Sequence, residues 1–183
     1  DFSNYTGKAW YRKTISLPEN WTKTSDTRYY LKFGGVYHLT KVYLNGKFIG
    51  MNRGGFTPFD FDLTDALDFS GKNVIAVQAD NSAIVGATWN WGGIIRDVTL
   101  TKNKDIRIAY QYIHAEPDLK TGTAELKLKV RIENNSTEKR TIRVNSKVMD
   151  EVQVEVLSGT IELEPNSQQD IHLNAILPSE KVE

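Results

Sequence analysis

The chain has 183 residues, with 23 basic side chains, 23 acidic side chains and no cysteine. This length suits one large or two small domains, and a balanced charge argues against nucleic acid or an anionic membrane surface as the main partner. The absence of cysteine excludes disulfides, thiol catalysis and thiolate zinc sites. No apolar run approaches the roughly 20 residues of a membrane-spanning helix, so we expect no membrane partner either.

Short alternating segments in the first hundred residues predict β-strands. Residues 9–16 form an entry strand that ends at Leu17-Pro18. Residues 42–48 surround Asn45-Gly46, a pair that favours a type I′ hairpin turn because both residues tolerate positive φ. After a flexible and then stiff corner at 53–58, residues 59–63 alternate apolar and acidic side chains, which indicates another strand. No segment shows a convincing amphipathic helix.

The segment Trp89-Asn90-Trp91 is the best candidate for contact with a ligand. Indole rings present flat apolar faces that stack on the C–H surface of a sugar, and an asparagine amide offers a donor and an acceptor. We therefore name Trp89, Asn90 and Trp91 as candidates for the rim of a substrate pocket, with Arg53 as a fourth in a glycine-rich loop. In the alternative interpretation the tryptophans pack in a core or between domains, and Arg53 is a solvated loop residue.

Other chemically capable side chains have simpler interpretations. Asp60 and Asp62 share one face of a predicted strand, but capping of a turn or solvation explains them better than catalysis. Arg96 and Asp97 suggest a structural ion pair or an arginine at a domain interface. The three histidines lie far apart in the sequence, without the spacing of a metal site. We predict no catalytic residue, no metal site and no cofactor in this chain.

The composition changes near residue 103. All four tryptophans precede residue 92, and alternating Glu and Lys side chains dominate after residue 104. We place domains at residues 1–103 and 104–183. In the second, residues 125–132 alternate in the manner of an antiparallel strand, and turns are expected at 134–137 and at Ser158-Gly159. Further short strands at 141–148, 152–156, 161–163 and 171–177 suggest an immunoglobulin-like sandwich.

Three blocks of the first hundred residues resemble one family. They are residues 9–18, residues 42–65 and the segment Trp91-Gly92-Gly93-Ile94-Ile95-Arg96-Asp97-Val98-Thr99-Leu100. In this order they are similar to the N-terminal sugar-binding-like domain of family-two glycoside hydrolases, the β-galactosidase, β-glucuronidase and β-mannosidase group. The resemblance implies an all-β fold, a galactose-binding-like jelly roll followed by an immunoglobulin-like β-sandwich that we expect to be incomplete at its C-terminal end.

The resemblance also implies a function. A parent glycosidase would hydrolyse terminal β-linked sugars with retention, using two glutamates on a later (β/α)8 barrel, and this chain would support that barrel and shape the pocket rim. Carbohydrate and the intramolecular barrel are then the expected partners. Glucuronidase-like members place an aspartate where this sequence has Ala87, so direct carboxylate contact with substrate is not expected here. A stand-alone carbohydrate-binding or adhesion module is the alternative, and among compartments the bacterial periplasm or exterior is favoured.

Overall fold

The computed structural model describes residues 5–83, 92–149 and 153–177, and the elements it contains are β-strands. The described residues form no helix with the length and apolar character that crossing a membrane requires. The chain divides into two compact units, Asp1–Asn103 and Lys104–Glu183. The strands of the first unit are β1 Lys8–Ser16, β2 Thr27–Phe33, β3 Val36–Tyr37, β4 Leu39–Leu44, β5 Lys47–Arg53, β6 Phe59–Asp62, β7 Lys72–Asp80, β8 Gly93–Ile94 and β9 Val98–Lys104.

The first unit is a sandwich of antiparallel sheets. One sheet has four strands in the order β1-β7-β4-β5, and facing it lie the three-stranded sheet β6-β2-β9 and the short ladder β3-β8. Alternation along the strands turns one side of each sheet inward, and the buried side chains form one core. That core contains Tyr29, Leu31, Phe33, Val42, Leu44, Leu63 and Val77.

The hairpin between β4 and β5 has the predicted turn. Asn45 has φ 52° and Gly46 has φ 82°, as a type I′ turn requires. The Asn45 side chain adds a tertiary role, because its Oδ1 accepts from Val74 N (2.8 Å) and its Nδ2 donates to Asn73 Oδ1 (2.9 Å). The turn prediction is confirmed, and these bonds attach the hairpin to β7.

Asp62 caps the turn that follows β6. Its Oδ1 accepts from Thr64 N (2.8 Å) and from the Thr64 hydroxyl (2.5 Å). The same hydroxyl accepts from Tyr29 N (2.9 Å), so the turn is bonded to β2. This carboxylate therefore has the turn-capping role that the sequence predicted, which leaves it poorly suited to acid–base chemistry.

The buried hydroxyl of Thr40 has no hydrogen-bond partner among the described residues. Thr40 lies in β4 with no exposed surface. An unpaired buried polar group destabilises a fold by about 1–3 kcal/mol, so we expect Thr40→Val to raise the free energy of unfolding by about 1 kcal/mol. Urea unfolding followed by tryptophan fluorescence measures this change.

Thr64→Val is the matched control for Thr40→Val. The Thr64 hydroxyl is also buried, but it bonds Tyr29 N and Asp62, so its removal should lower the free energy of unfolding by at least about 1 kcal/mol. If the two variants shift the unfolding midpoint in the same direction, the assignment of an unpaired Thr40 hydroxyl is wrong.

The second unit is a smaller sandwich. Its strands are β10 Ile106–Asp118, β11 Thr123–Asn134, β12 Arg140–Met149, β13 Gln153–Leu163 and β14 Ser167–Leu177. Its sheets have the strand orders β10-β11-β14 and β12-β13, and the inward side chains of β11 lie at its centre. The outward side chains of β11 between residues 125 and 133 are charged. Asp170 accepts from Arg131 Nε (2.7 Å) and lies 2.8 Å from Lys129 Nζ. The bonds from Arg131, and then Lys129, hold the pKa of Asp170 well below its usual range.

Two turns predicted in the second unit differ from the structure. Asn134 is the last residue of β11 and not the first of a turn, since it pairs with Ile106 in β10 and with Ser167 in β14. The predicted turn at Ser158-Gly159 is wrong, since β13 continues through it with Gly159 opposite Val144. A Cβ at Gly159 would lie 2.8 Å from both Ile171 Cδ1 and Leu173 Cδ2, so close packing accounts for this glycine.

Candidate functional site

The candidate site is the end of the first unit where β3 and β8 meet. Val36 pairs with Ile94 and Tyr37 with Gly93. Ile95 N donates to Gly35 O (3.1 Å), which extends the ladder past β8. The segment before this ladder, 84–91, contains Trp89, Asn90, Trp91 and Ala87, which lie outside the described residues. The structure does describe the residues that flank this predicted rim segment. We call them the loop base: the end of β7 with Asn81 and Ser82 on one side, and Gly92, Gly93 and the β3-β8 ladder on the other.

The first side of the loop base is the end of β7. Asn81 is buried, and it exchanges backbone and side-chain bonds with Gly7, with Gly7 N donating to Asn81 Oδ1 (2.7 Å). Its Nδ2 also donates to Tyr5 O (2.9 Å). The Asp80 carboxylate accepts from Ser82 N (2.9 Å) and from the Ser82 hydroxyl. These bonds fix the chain up to Ser82, two residues before the segment begins.

The second side of the loop base is the glycine pair. Gly93 has φ +95°, a conformation that side chains disfavour, and a Cβ there would collide with the Tyr11 hydroxyl. A Cβ at Gly92 would collide with the Asn81 amide. The glycines are therefore needed for close approach to β1 and β7.

Arg96 joins the loop base to a second loop. Its guanidinium donates to Phe56 O (2.9 Å), and its Cβ lies against Gly34, where an added Cβ would be only 2.8 Å away. Asp97 contributes its backbone carbonyl, which accepts from Gly34 N (2.9 Å). Arg96 is thus structural, as expected, but it bonds a backbone carbonyl in the loop at 54–58.

That loop carries an exposed aromatic ring. Phe56 is 59% exposed and its ring lies 5.8 Å from that of buried Tyr37. Gly54 N donates to His38 O (3.0 Å), and Gly55 packs against the Tyr37 ring, where a Cβ would lie 2.5 Å from a ring carbon. Phe56 is a rim candidate that the sequence argument missed, since only its contacts to Tyr37 and Arg96 place it beside the loop base.

Arg53 lies elsewhere than predicted. It is the last residue of β5, paired with Leu39 on the solvent side of the four-stranded sheet, and not a residue of the glycine-rich loop. Alternation explains this placement, because the adjacent Asn52 pairs with buried Thr40. Arg53 therefore lies in the same row of the sheet as Asp80, next to the loop base, but it is not one of the residues that flank the segment.

The described residues contain no cluster of three or more His, Cys, Asp or Glu side chains that could hold a metal ion. At the loop base the Ser82 bonds lower the pKa of the Asp80 carboxyl, and Lys8 and Lys41 lower it further. Asp80 is therefore an ionised acceptor that fixes the backbone at Ser82. The Phe56 ring beside the loop base is open to solvent.

The family comparison decides what kind of domain this is. Residues 1–104 match the family described as glycosyl hydrolases family 2, sugar binding domain. This chain belongs to glycosyl hydrolase family 2. The resemblance of the three blocks and the all-β fold are thereby confirmed, and the loop base belongs to the family's sugar-binding domain.

Family 2 relatives are similar over both units. A β-glucuronidase of Formosa agariphila is 29% identical over 171 residues, which cover 81% of this chain and 17% of that protein. A β-galactosidase of Thermoanaerobacter pseudethanolicus is 32% identical over 134 residues, covering 68% of this chain and 18% of that protein. This family 2 chain thus spans less than a fifth of the length of each of these two relatives.

Solved structures of glycosidases have the same fold. Bacteroides uniformis β-glucuronidase 2, covalently bound to cyclophellitol-6-carboxylate aziridine, superposes with a TM-score of 0.80 and 26% identity. The match covers 98% of this chain and 22% of that one. A β-glycosidase from Bacteroides vulgatus gives a TM-score of 0.68 at 25% identity and covers 95% of this chain and 21% of its own.

Proposed function

We propose that this chain is the non-catalytic N-terminal region of a retaining β-glycosidase, in which it supports a catalytic (β/α)8 barrel and shapes the rim of the substrate pocket. The observation that carries the proposal is the near-complete superposition of both units on about a fifth of whole glycosidases. Since the relatives are several times longer, this function is favoured over a stand-alone binding or adhesion module.

The geometry of the loop base supports a role at the rim. Buried Asn81 on one side and Gly93 on the other flank segment 84–91, and these flanks lie close together, since a Cβ at Gly92 would collide with the Asn81 amide. A segment held in this way can present Trp89, Asn90 and Trp91 to a sugar without loss of order in the sandwich below. Phe56 adds an exposed ring beside it.

The parent enzyme would act on a terminal β-linked sugar. A retaining enzyme places two carboxyl groups about 5–5.5 Å apart, one as nucleophile and one as acid and base. We assign these groups to the barrel of the parent, because the Asp62 carboxylate in this chain already accepts two hydrogen bonds from Thr64 that cap a turn. The names of the relatives include both β-glucuronidase and β-galactosidase, so either sugar is a candidate substrate.

The test compares this chain with its full-length parent on p-nitrophenyl β-galactoside, β-glucuronide and β-mannoside. We expect hydrolysis by the parent alone. Replacing 84–91 in the parent by a Gly/Ser segment of equal length should lower kcat/KM roughly tenfold or more through misplaced substrate, with little change in Tm. The same replacement at the exposed turn 119–122 is the control.

Two results would contradict the proposal. One is turnover by the 183-residue chain alone that disappears in Asp60→Asn or Asp62→Asn, since the catalytic groups would then lie in this chain. The other is full activity of a parent that lacks residues 1–183, because the chain would then neither support the barrel nor shape its pocket.

A further inference from the structure

The solvent side of the four-stranded sheet β1-β7-β4-β5, called here the outer face, has an unusual composition. The inward side chains of β4 and β7, such as Val42 and Val77, are buried in the core. The strand register arranges the outward side chains in rows across the sheet. The middle row is Trp10, Gln78, Lys41 and Met51.

Aromatic side chains form a contiguous cluster on the outer face. Trp10 is 57% exposed and Phe48 is 50% exposed, and Tyr43 lies between them with ring centroids 5.7 Å and 5.4 Å away. Trp10 reaches Tyr43 across β7 because the residue between them is the small Ala76. With Met51, which is 56% exposed, these rings form an apolar platform of the kind that marks an interaction surface.

Cations surround this platform. Lys8 and Arg12 lie in β1, Lys41 in β4 and Arg53 in β5, while the outward carboxylate of these rows is Asp80. Among the described residues none of the four cations is within ion-pair distance of a carboxylate. Asp80 lies opposite Lys8 and interacts electrostatically with Lys8 and Lys41. The chain as a whole has no net charge, so four cations against this one carboxylate make the outer face locally positive.

The exposed aromatic rings together with the cations around them indicate which kind of partner fits the outer face. A second copy in a two-fold contact would bring the four cations against themselves, which like-charge repulsion disfavours. A neutral sugar would use the rings but leave the cations without partners. A sugar acid satisfies both, since its ring stacks on an aromatic face and its carboxylate pairs with the planar guanidinium of Arg12 or Arg53.

We propose that the outer face binds a polyuronate, a polysaccharide of carboxylate-bearing sugars, with Trp10 and Tyr43 as the stacking surface and Arg12, Lys41 and Arg53 as the carboxylate partners. The face spans roughly 14 Å, three strand spacings of about 4.8 Å, which suits an extended chain of several sugars. The Gln78 amide at its centre offers a donor and an acceptor to ring hydroxyls.

The outer face borders the loop base. The row that ends at Arg53 also contains Asp80, which precedes Asn81, and Arg53 precedes Gly54. A polyuronate on the outer face is therefore held beside the loop base. This binding does not require the parent enzyme, so its test is separate from that of the proposed function.

The experiment titrates the 183-residue chain with polygalacturonate oligosaccharides, with neutral galactan oligosaccharides and with dextran sulfate at two salt concentrations. We expect saturable binding of the polyuronate and none of the neutral glycan. Trp10→Ala should weaken binding about tenfold, and Lys41→Gln should weaken it about threefold, with the larger loss at low salt. Tyr112→Ala, which removes an equally exposed ring from the second unit, is the control.

Circular dichroism verifies that each variant is folded, which we expect because Trp10 and Lys41 lie on the surface. Three results would overturn the proposal. They are no binding of polyuronate, equal binding of dextran sulfate that Trp10→Ala leaves unchanged, and a concentration-dependent dimer that Trp10→Ala dissociates. The last would assign the outer face to a second copy.

Discussion

Replacing Asn134 by alanine should destabilise the second unit by about 3–4 kcal/mol. Asn134 is buried at the end of β11, and its Nδ2 donates to Glu138 O (2.8 Å) and Glu164 O (2.9 Å). Its Oδ1 accepts from Ser136 N (3.0 Å) and from the Ser136 hydroxyl (2.7 Å). The alanine variant leaves these buried backbone groups without partners, which is costly in a medium of low polarity.

Urea unfolding followed by far-UV circular dichroism measures this loss, since the signal includes the strands of the second unit. Asn174→Ala makes the same chemical change at an exposed position of β14 and should alter the free energy of unfolding by less than about 0.5 kcal/mol. Equal unfolding midpoints for the two variants would show that the Asn134 network contributes little to stability.

Replacing Phe33 by alanine should destabilise the first unit by about 3–5 kcal/mol. Phe33 has no exposed surface, and its ring stacks on that of Phe59 at 5.0 Å and meets that of Phe61 edge-on at 6.5 Å. Phe33 also lines a cavity of about 470 Å³ between the sheets, so its truncation enlarges an existing space. The loss therefore includes both the transfer of the ring and the cavity left behind.

Tryptophan fluorescence is the appropriate probe for Phe33→Ala, because all four tryptophans lie in the first unit. Phe48→Ala, on the outer face, is the control and should lower the free energy of unfolding by less than about 1 kcal/mol, since that ring is half exposed. A loss at Phe33 no larger than at Phe48 would mean that the core tolerates removal of the ring.

Local patterns predicted the local structure of this chain. The Asn45-Gly46 turn follows from the conformations those two residues tolerate, and β11 follows from strict alternation of its side chains. The family followed from three ordered blocks. Each of these signals depends on residues that are neighbours in the sequence, which is why sequence alone was sufficient.

Features that depend on distant residues could not be predicted. Gly159 lies within a strand because Ile171 and Leu173 fill the space beside it, and no pattern near Ser158 indicates this. Asn81 holds the loop base through Gly7, 74 residues away. The outer face needs the register of four strands to bring Trp10 beside Tyr43, so its aromatic cluster is visible only in the folded chain.

The flanks of segment 84–91 are fixed by residues outside it, which has a consequence for protein engineering. Asn81 is bonded to Gly7 on one side, and Gly93 is held against Tyr11 on the other. A replacement within 84–91 leaves these contacts in place. A designer can therefore graft another segment between the same two residues and keep the sandwich that carries it.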